Sequence, residues 1–143
     1  MLETVTNTDI FFVEDDTDFA FIMETAVLEL SKPATIQILD NGKEAILKLK
    51  RLAEDKLKPK LILLDLNLPG ISGIEILKQI RDITYLRYVP VVLFSTSEEA
   101  TDIRTSLEFG ANAYVTKPSS YSDLIICLQS FADFWLHQNA FVS

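Results

Sequence analysis

Short apolar bursts alternate along the chain with longer stretches in which apolar residues recur every three or four positions. The bursts are "IFFV" (10–13), "TIQIL" (35–39), "LILL" (61–64), "VVLF" (91–94) and "AYVT" (113–116). They are rich in Val, Ile and Phe, and three lack polar alternation, which predicts strands covered on both faces. Between them, "DTDFAFIMETAVLELS" places Phe19, Ile22, Ala26 and Leu30 on one helical stripe, with Asp16, Thr17 or Asp18 available as N-cap. "GKEAILKLKRLA" repeats the pattern with Ala45, Ile46, Leu49, Leu52 and Ala53, and the Asp40-Asn41-Gly42 before it reads as a turn into a helix. "SGIEILKQIRD" gathers Ile74, Leu77 and Ile80. "SEEATDIRTSLEFG" predicts a helix capped by Ser97 and ended by Gly110. The last pattern, "SYSDLIICLQSFADFWLHQ", is the most apolar, with Leu124, Ile125, Leu128, Phe131, Phe134 and Trp135. Strands and helices in strict alternation predict an α/β fold: a doubly wound, five-stranded parallel sheet with five helices. Right-handed crossovers favour the flavodoxin-like order 2-1-3-4-5.

Chemistry concentrates at the carboxyl ends of these strands, where open parallel sheets bind their ligands. The first strand ends in Glu14, Asp15 and Asp16; the third in Asp65, followed by Asn67; the fourth in Ser95 and Thr96; the fifth in Lys117 and Pro118. In the order 2-1-3-4-5 the first and third strands are neighbours, so Glu14, Asp15 and Asp65 converge. Asp65 follows a fully aliphatic run, and a buried unpaired charge costs several kcal/mol or more, so other groups must meet it there. Three close carboxylates repel and raise one another's pKa unless a cation sits among them. An all-oxygen set with few protein ligands suits Mg²⁺, which also accepts phosphate oxygens. An aspartate there becomes a nucleophile towards phosphorus. The metal, the Lys117 ammonium, and the Ser95 hydroxyl or a backbone N–H then answer the three phosphoryl oxygens.

Composition narrows the setting. The chain has 143 residues, 48% of them hydrophobic, which suits one domain around one core and argues against disorder. We expect a single domain over 1–143, with its core at about 9–137, and no attached effector domain. The net charge of −8 repels phosphate backbones, so no nucleic-acid partner is expected. No apolar run is long enough to span a membrane, and "MLETVTNTD" has neither a basic nor an apolar leader segment. Cys127 is the single cysteine, which fits a reducing, cytoplasmic setting. The only histidine, His137, lies past the last apolar stripe as an exposed helix-end residue, remote from the strand ends.

The segments "FFVEDD", "LILLDLNLPGISG", "VVLFSTS" and "YVTKPS", in this order and at these intervals, resemble the response-regulator receiver domain of two-component signalling. The resemblance covers about residues 9–137. It implies that Asp65 is the phosphoacceptor, Asp15 the direct acidic metal ligand, Glu14 a ligand through water, and the Asn67 backbone carbonyl a further ligand. It places Ser95 at the family's switch Ser/Thr, Tyr114 at its switch aromatic and Lys117 at its phosphate-binding lysine. It also implies a cis Lys117–Pro118 peptide that turns the ammonium back to the pocket. Asn67 and Ser97 would flank the line of water attack that sets the phosphoryl lifetime. Ser119 departs from the family's usual aromatic after the proline. "YLRYVPVVLFSTS" and the expected absence of an effector resemble stand-alone receivers, some of which pair with phytochrome-type kinases.

The implied function is a non-enzymatic response regulator with intrinsic autodephosphorylation. It takes a phosphoryl group from a sensor histidine kinase or a histidine phosphotransfer protein and signals to a downstream protein. The signalling surface is expected on helix 4, strand 5 and helix 5, with Ile103, Leu107, Phe131, Phe134 and Trp135 on or near it and self-association as one form of output. Two alternatives remain at this stage. A Mg²⁺-dependent hydrolase working through an aspartyl phosphate typically carries an aspartate two residues after its nucleophile, where this chain has Asn67. A receiver-like binding module without phosphorylation would not need the complete acceptor set.

Overall fold

The computed structural model describes residues 8–142. Five parallel strands, β1 (Ile10–Val13), β2 (Ile36–Leu39), β3 (Leu61–Leu64), β4 (Val91–Ser95) and β5 (Ala113–Thr116), form one sheet in the order β2-β1-β3-β4-β5. The helices between and after them are α1 (Thr17–Leu28), α2 (Gly42–Glu54), α3 (Gly73–Asp82), α4 (Ala100–Glu108) and α5 (Tyr121–Phe131). A 3₁₀ turn (Thr84–Leu86) precedes β4, and a π-helix (Ala132–Gln138) continues α5.

The non-alternating apolar strands are buried on both faces. Ile10, Phe12, Leu61, Leu63, Val92 and Phe94 pack with α1 and α5, whereas Phe11, Val13, Ile62, Leu64, Val91 and Leu93 pack with α2 and α3. Each strand therefore supplies both layers of the core, and polar residues at either parity would be stranded inside. Asp16 caps α1 by accepting from the Asp18 and Phe19 amides at 3.0 and 3.1 Å. Asn41 and Ser72 do the same for α2 and α3. Gly110, at φ +103°, closes the α4–β5 turn in the left-handed region that glycine adopts without steric cost.

The structure corrects three local expectations. In α1, Ala26 and Leu30 are buried and Phe19 packs against the core as the spacing predicts, but Ile22 is exposed, and Met23 and Val27 join the buried face in its place. Ser97 does not cap α4. The helix starts at Ala100 with Glu99 in the cap position and no side-chain cap bond. Ser97 is held by the strand ends instead: its amide donates to Ser95 Oγ at 3.2 Å, and its carbonyl accepts from the Tyr114 hydroxyl at 2.8 Å. After α5 the π-helix spaces contacts five residues apart, so Leu136 follows Phe131 into the core and Phe134 is left exposed.

Arg81, near the end of α3, joins the lower edge of the sheet. Its guanidinium makes five hydrogen bonds: Nε and Nη2 donate to the Gly110 carbonyl, Nη1 to the carbonyls of Arg87 and Val89, and Nη2 also to Asn112 Oδ1. Asn112 Oδ1 in turn accepts from the Val91 amide at 2.8 Å, so one side chain sets the entry of both β4 and β5. Partial burial without a carboxylate partner lowers the Arg81 pKa. Arg81→Ala is expected to cost roughly 3 kcal/mol in denaturant unfolding, because charge-assisted bonds are lost and their carbonyls left unpaired. Arg81→Lys should recover less than half, since an ammonium lacks the planar fork.

Candidate phosphoacceptor and metal site

Register places the site. β1 pairs with β3 so that Val13 lies beside Leu64, which brings the next residues, Glu14 and Asp65, side by side at the sheet's carboxyl edge. The Asp65 amide donates to the Val13 carbonyl at 3.1 Å, and the Glu14 amide to the Leu39 carbonyl at 2.9 Å. β4 pairs with β5 through Ser95 and Thr116, and the Lys117 amide donates to the Ser95 carbonyl at 2.8 Å. All of these backbone positions are therefore fixed by the ladder before any side chain is considered.

Carboxylate oxygens of Glu14, Asp15 and Asp65 lie within 4.8 Å of one another. Glu14 and Asp65 are buried, whereas Asp15 is exposed at the mouth. Lys117 Nζ bridges the two buried acids, at 2.5 Å from Glu14 Oε1 and 3.5 Å from Asp65 Oδ2. It also sits over the Phe19 ring, 4.6 Å from its centroid. Ser95 is fully buried at the end of β4. Asn67 is exposed in the loop after β3. Tyr114 is half-buried, its hydroxyl on the β4–α4 loop through the Ser97 carbonyl. Asp16 is absorbed by its cap role. His137 is exposed in the π-helix that extends α5, past the described core of that helix.

Electrostatics match this crowding. Burial pushes the Glu14 carboxyl up to about 7; the hydrogen bond from Lys117 opposes this, and the nearby Asp65 charge adds to it. One lysine thus does not fully compensate two buried carboxyls. An all-oxygen cluster with surplus negative charge is the donor chemistry of a hard divalent cation, and such an ion would favour the ionised forms. The residues present fit a metal.

The structure overturns the cis Lys117–Pro118 peptide that the resemblance implies: the bond is trans, as no described peptide bond is cis. The trans form is the intrinsic preference, and the lysine's four-carbon stem reaches both acids from it. Gly73 opens α3 directly beneath Asp65: a Cβ there would collide with the Asp65 carbonyl and crowd Leu66 Cα, so only glycine lets the helix approach the acceptor strand. The "SG" pair before the α3 pattern was the available signal for this contact. Phe19 was read only as core, yet it also forms the apolar wall beside the lysine.

A parallel sheet of this order, with paired acids and a lysine at its carboxyl edge, defines a receiver-type phosphotransfer fold. The chain belongs to the response regulator receiver domain family, which it matches over residues 10–129. It is 36% identical over 132 residues to the probable methanogenesis regulatory protein FilR2 of Methanothrix harundinacea, covering 91% of this chain and 84% of that protein. It is 38% identical over 116 residues to the response regulator Rcp1 of Synechocystis sp., covering 77% and 79%. Among solved structures it resembles the phosphorylated cyanobacterial phytochrome response regulator RcpA, with a TM-score of 0.83, 31% identity, and 96% of this chain and all of that chain covered. The Mn²⁺-bound form of Rcp1 gives a TM-score of 0.80 at 30% identity, covering 95% and 99%. The protein is thus a response regulator of two-component signal transduction, in a family whose receivers take phosphate from histidine kinases onto an aspartate. No helix among the described residues is long and apolar enough to cross a membrane.

The native Glu14 carboxyl keeps its proton up to about pH 7, whereas an unfolded one releases it near 4.5. The native state therefore binds more protons in that window, so this group's contribution is complete below about 4.5 and is lost as pH rises through about 7. In chelator, stability relative to Glu14→Gln should fall across this range. Parallel curves for the two proteins would contradict the assignment.

Proposed function

We propose that Asp65 is the phosphoacceptor and that Lys117 and Ser95 receive the phosphoryl oxygens. The observation that carries this reading is the bridging of buried Asp65 and Glu14 by the Lys117 ammonium beside a third carboxylate. An Asp65 carboxylate oxygen attacks the phosphorus of a phosphohistidine. The new O–P bond forms as the N–P bond breaks, and the imidazole leaves with the electron pair and takes up a proton from water. Lys117 neutralises one equatorial oxygen as charge builds, and the Ser95 hydroxyl, at the end of the neighbouring strand, donates to another. Asp15 and Asp65 would hold Mg²⁺ directly, Glu14 through water, and Asn67 through its backbone carbonyl. The ion's part is to neutralise the acids and a phosphoryl oxygen.

Asn67 carries no titratable group where an aspartyl-phosphate hydrolase needs its acid/base, so the acyl phosphate itself is the signalling product. It decays by slow intrinsic hydrolysis, with Asn67 and Ser97 flanking the approach of water. The donor is a cytoplasmic sensor histidine kinase or phosphotransfer protein. Output passes through Ser95, the Ser97 loop and Tyr114 to the face of α4, β5 and α5. There Leu107 and Phe134 are exposed and Trp135 stacks edge-on to Phe134 at 4.7 Å. The receiver of that output is a downstream protein or a second copy bound only in the phosphorylated state.

Acetyl phosphate with Mg²⁺ should add the mass of one phosphoryl group, located on Asp65 by peptide mapping and lost in Asp65→Asn. Asp15→Asn should keep the fold yet weaken Mg²⁺ binding about tenfold or more, read by titration of intrinsic fluorescence. A persisting mass gain in Asp65→Asn would overturn the acceptor assignment. For output, beryllofluoride should change partner binding or sedimentation of the protein, and Tyr114→Ala or Trp135→Ala should shrink that change while Asp65 is still phosphorylated. Identical behaviour of the free and treated forms would remove the face from signalling.

A further inference from the structure

The outer edge of β2 is built for a strand that the chain itself does not supply. β2 closes one side of the sheet, with no strand beyond it among the described residues. On its inner side Thr35 and Leu39 accept from the Ile10 and Glu14 amides at 3.0 and 2.9 Å. By strand alternation the backbone N–H and C=O of Ile36 and Ile38 therefore face outward. Edges of this kind are commonly blunted with lysine, proline or a bulge. "IQIL" carries none of these.

The helices on either side of this edge share a pattern. On α1, Phe21 and Leu28 are 71% and 68% exposed, seven residues apart on one stripe with Glu24 between them. Phe21 and Glu24 border the groove beside Ile38 and Leu39. On α2, Glu44 and Arg51 are also seven residues apart, with Leu47, 67% exposed, between them, and all three border the groove beside Gln37 and Leu39. Both helices run opposite to β2, so the midpoints of these pairs fall near the level of Gln37.

We infer that a second copy of this chain docks on β2, antiparallel, about a two-fold axis through Gln37. One operation then pairs Ile36 with Ile38 of the other copy through backbone bonds and sets the two Gln37 amides against each other. It also places Phe21 against Leu28 and Glu44 against Arg51, twice each. An unrelated peptide could use the backbone edge, but it would not account for self-complementary pairs on both flanking helices. The net charge of −8 opposes association of two copies, as does Glu24, which lies near its own counterpart at the axis; on the α2 side Lys48, Lys50 and Arg51 outnumber Glu44 and Glu54 and offset this locally. The product is a continuous ten-stranded sheet that leaves the phosphoacceptor site and the α4, β5 and α5 face free. It does not depend on phosphorylation, which separates it from association through that other face.

Sedimentation velocity of the full chain without phosphodonor, in a series up to roughly 100 µM, should show a monomer–dimer equilibrium, and the effect of the edge variants on it should be the same with or without acetyl phosphate and Mg²⁺. Arg51→Glu should weaken it about tenfold or more, and Glu44→Arg with Arg51→Glu should restore it. Phe21→Asp should weaken it as well. Unfolding midpoints near the parent's, expected at exposed positions, show that each variant is folded. Hydrogen exchange at the Ile36 and Ile38 amides should slow as concentration rises. A monomer throughout the series overturns the inference. So does a dimer indifferent to Arg51→Glu, or one that forms only with the phosphodonor.

Discussion

Two carboxyls buried side by side at the ends of β1 and β3 impose the main constraint on this molecule. The ladder that pairs Val13 with Leu64 leaves Glu14 and Asp65 adjacent, and both are removed from water. Their repulsion is answered from β5 by the Lys117 ammonium, which requires β4 to lie between and to present Ser95 at the same level. Residues from separate strands are thus committed to one point by the sheet order and register. Charge kept in a dry, fixed place costs stability, and a bound cation would relieve it.

Much of this was legible in the sequence, because the signals were local and redundant. β1, β3 and β5 begin and end where the apolar bursts do. Carboxylates directly after buried strands, together with a Lys-Pro at another strand end, specified the convergence once the strand order was assumed. What escaped was set by tertiary contacts. Ser97 has the ideal residue type for an N-cap, but Tyr114 and Ser95 hold its backbone, and α4 starts later. Phe134 fits a 3.6-residue stripe, but the passage into a π-helix turns it outward and brings Leu136 in. Gly73 carries no apolar side chain for the stripe to register, and its lack of a side chain is what lets α3 approach Asp65. In each case the local preference was real, and a longer-range contact outweighed it.

The two layers of the core divide the labour of the fold. Phe12, Phe19, Phe94 and Phe131 form a chain of edge and tilted ring contacts, 5.5 to 6.1 Å between centroids, running from beneath the acceptor site to α5. The opposite layer is mainly aliphatic, though it holds Phe11, with α2 and α3 packed closely enough that a Cβ on Gly42 would clash with Ile71 and Ile76. Lys117 rests on the aromatic layer through Phe19, so the lysine's position is tied to packing as well as to charge.

Unequal anchoring makes α4 a lever with a defined fulcrum. Its carboxyl end adjoins the Gly110 turn, where Arg81 and Asn112 lock the backbone to α3 and β4. Its amino end has no side-chain cap at Glu99 but is tied to the Ser97 hydroxyl, which accepts from the Glu99 amide and donates to Asp102 Oδ2 at 2.6 Å; within the helix only Ser106 is fully buried. Opening such an element is least costly at the end with the fewest fixed bonds. A displacement of the Ser97 loop by a fraction of an ångström would therefore be read out as a tilt of the whole helix rather than a slide. The pivot of such a tilt would be the guanidinium of Arg81, at the opposite edge of the sheet from the carboxylates.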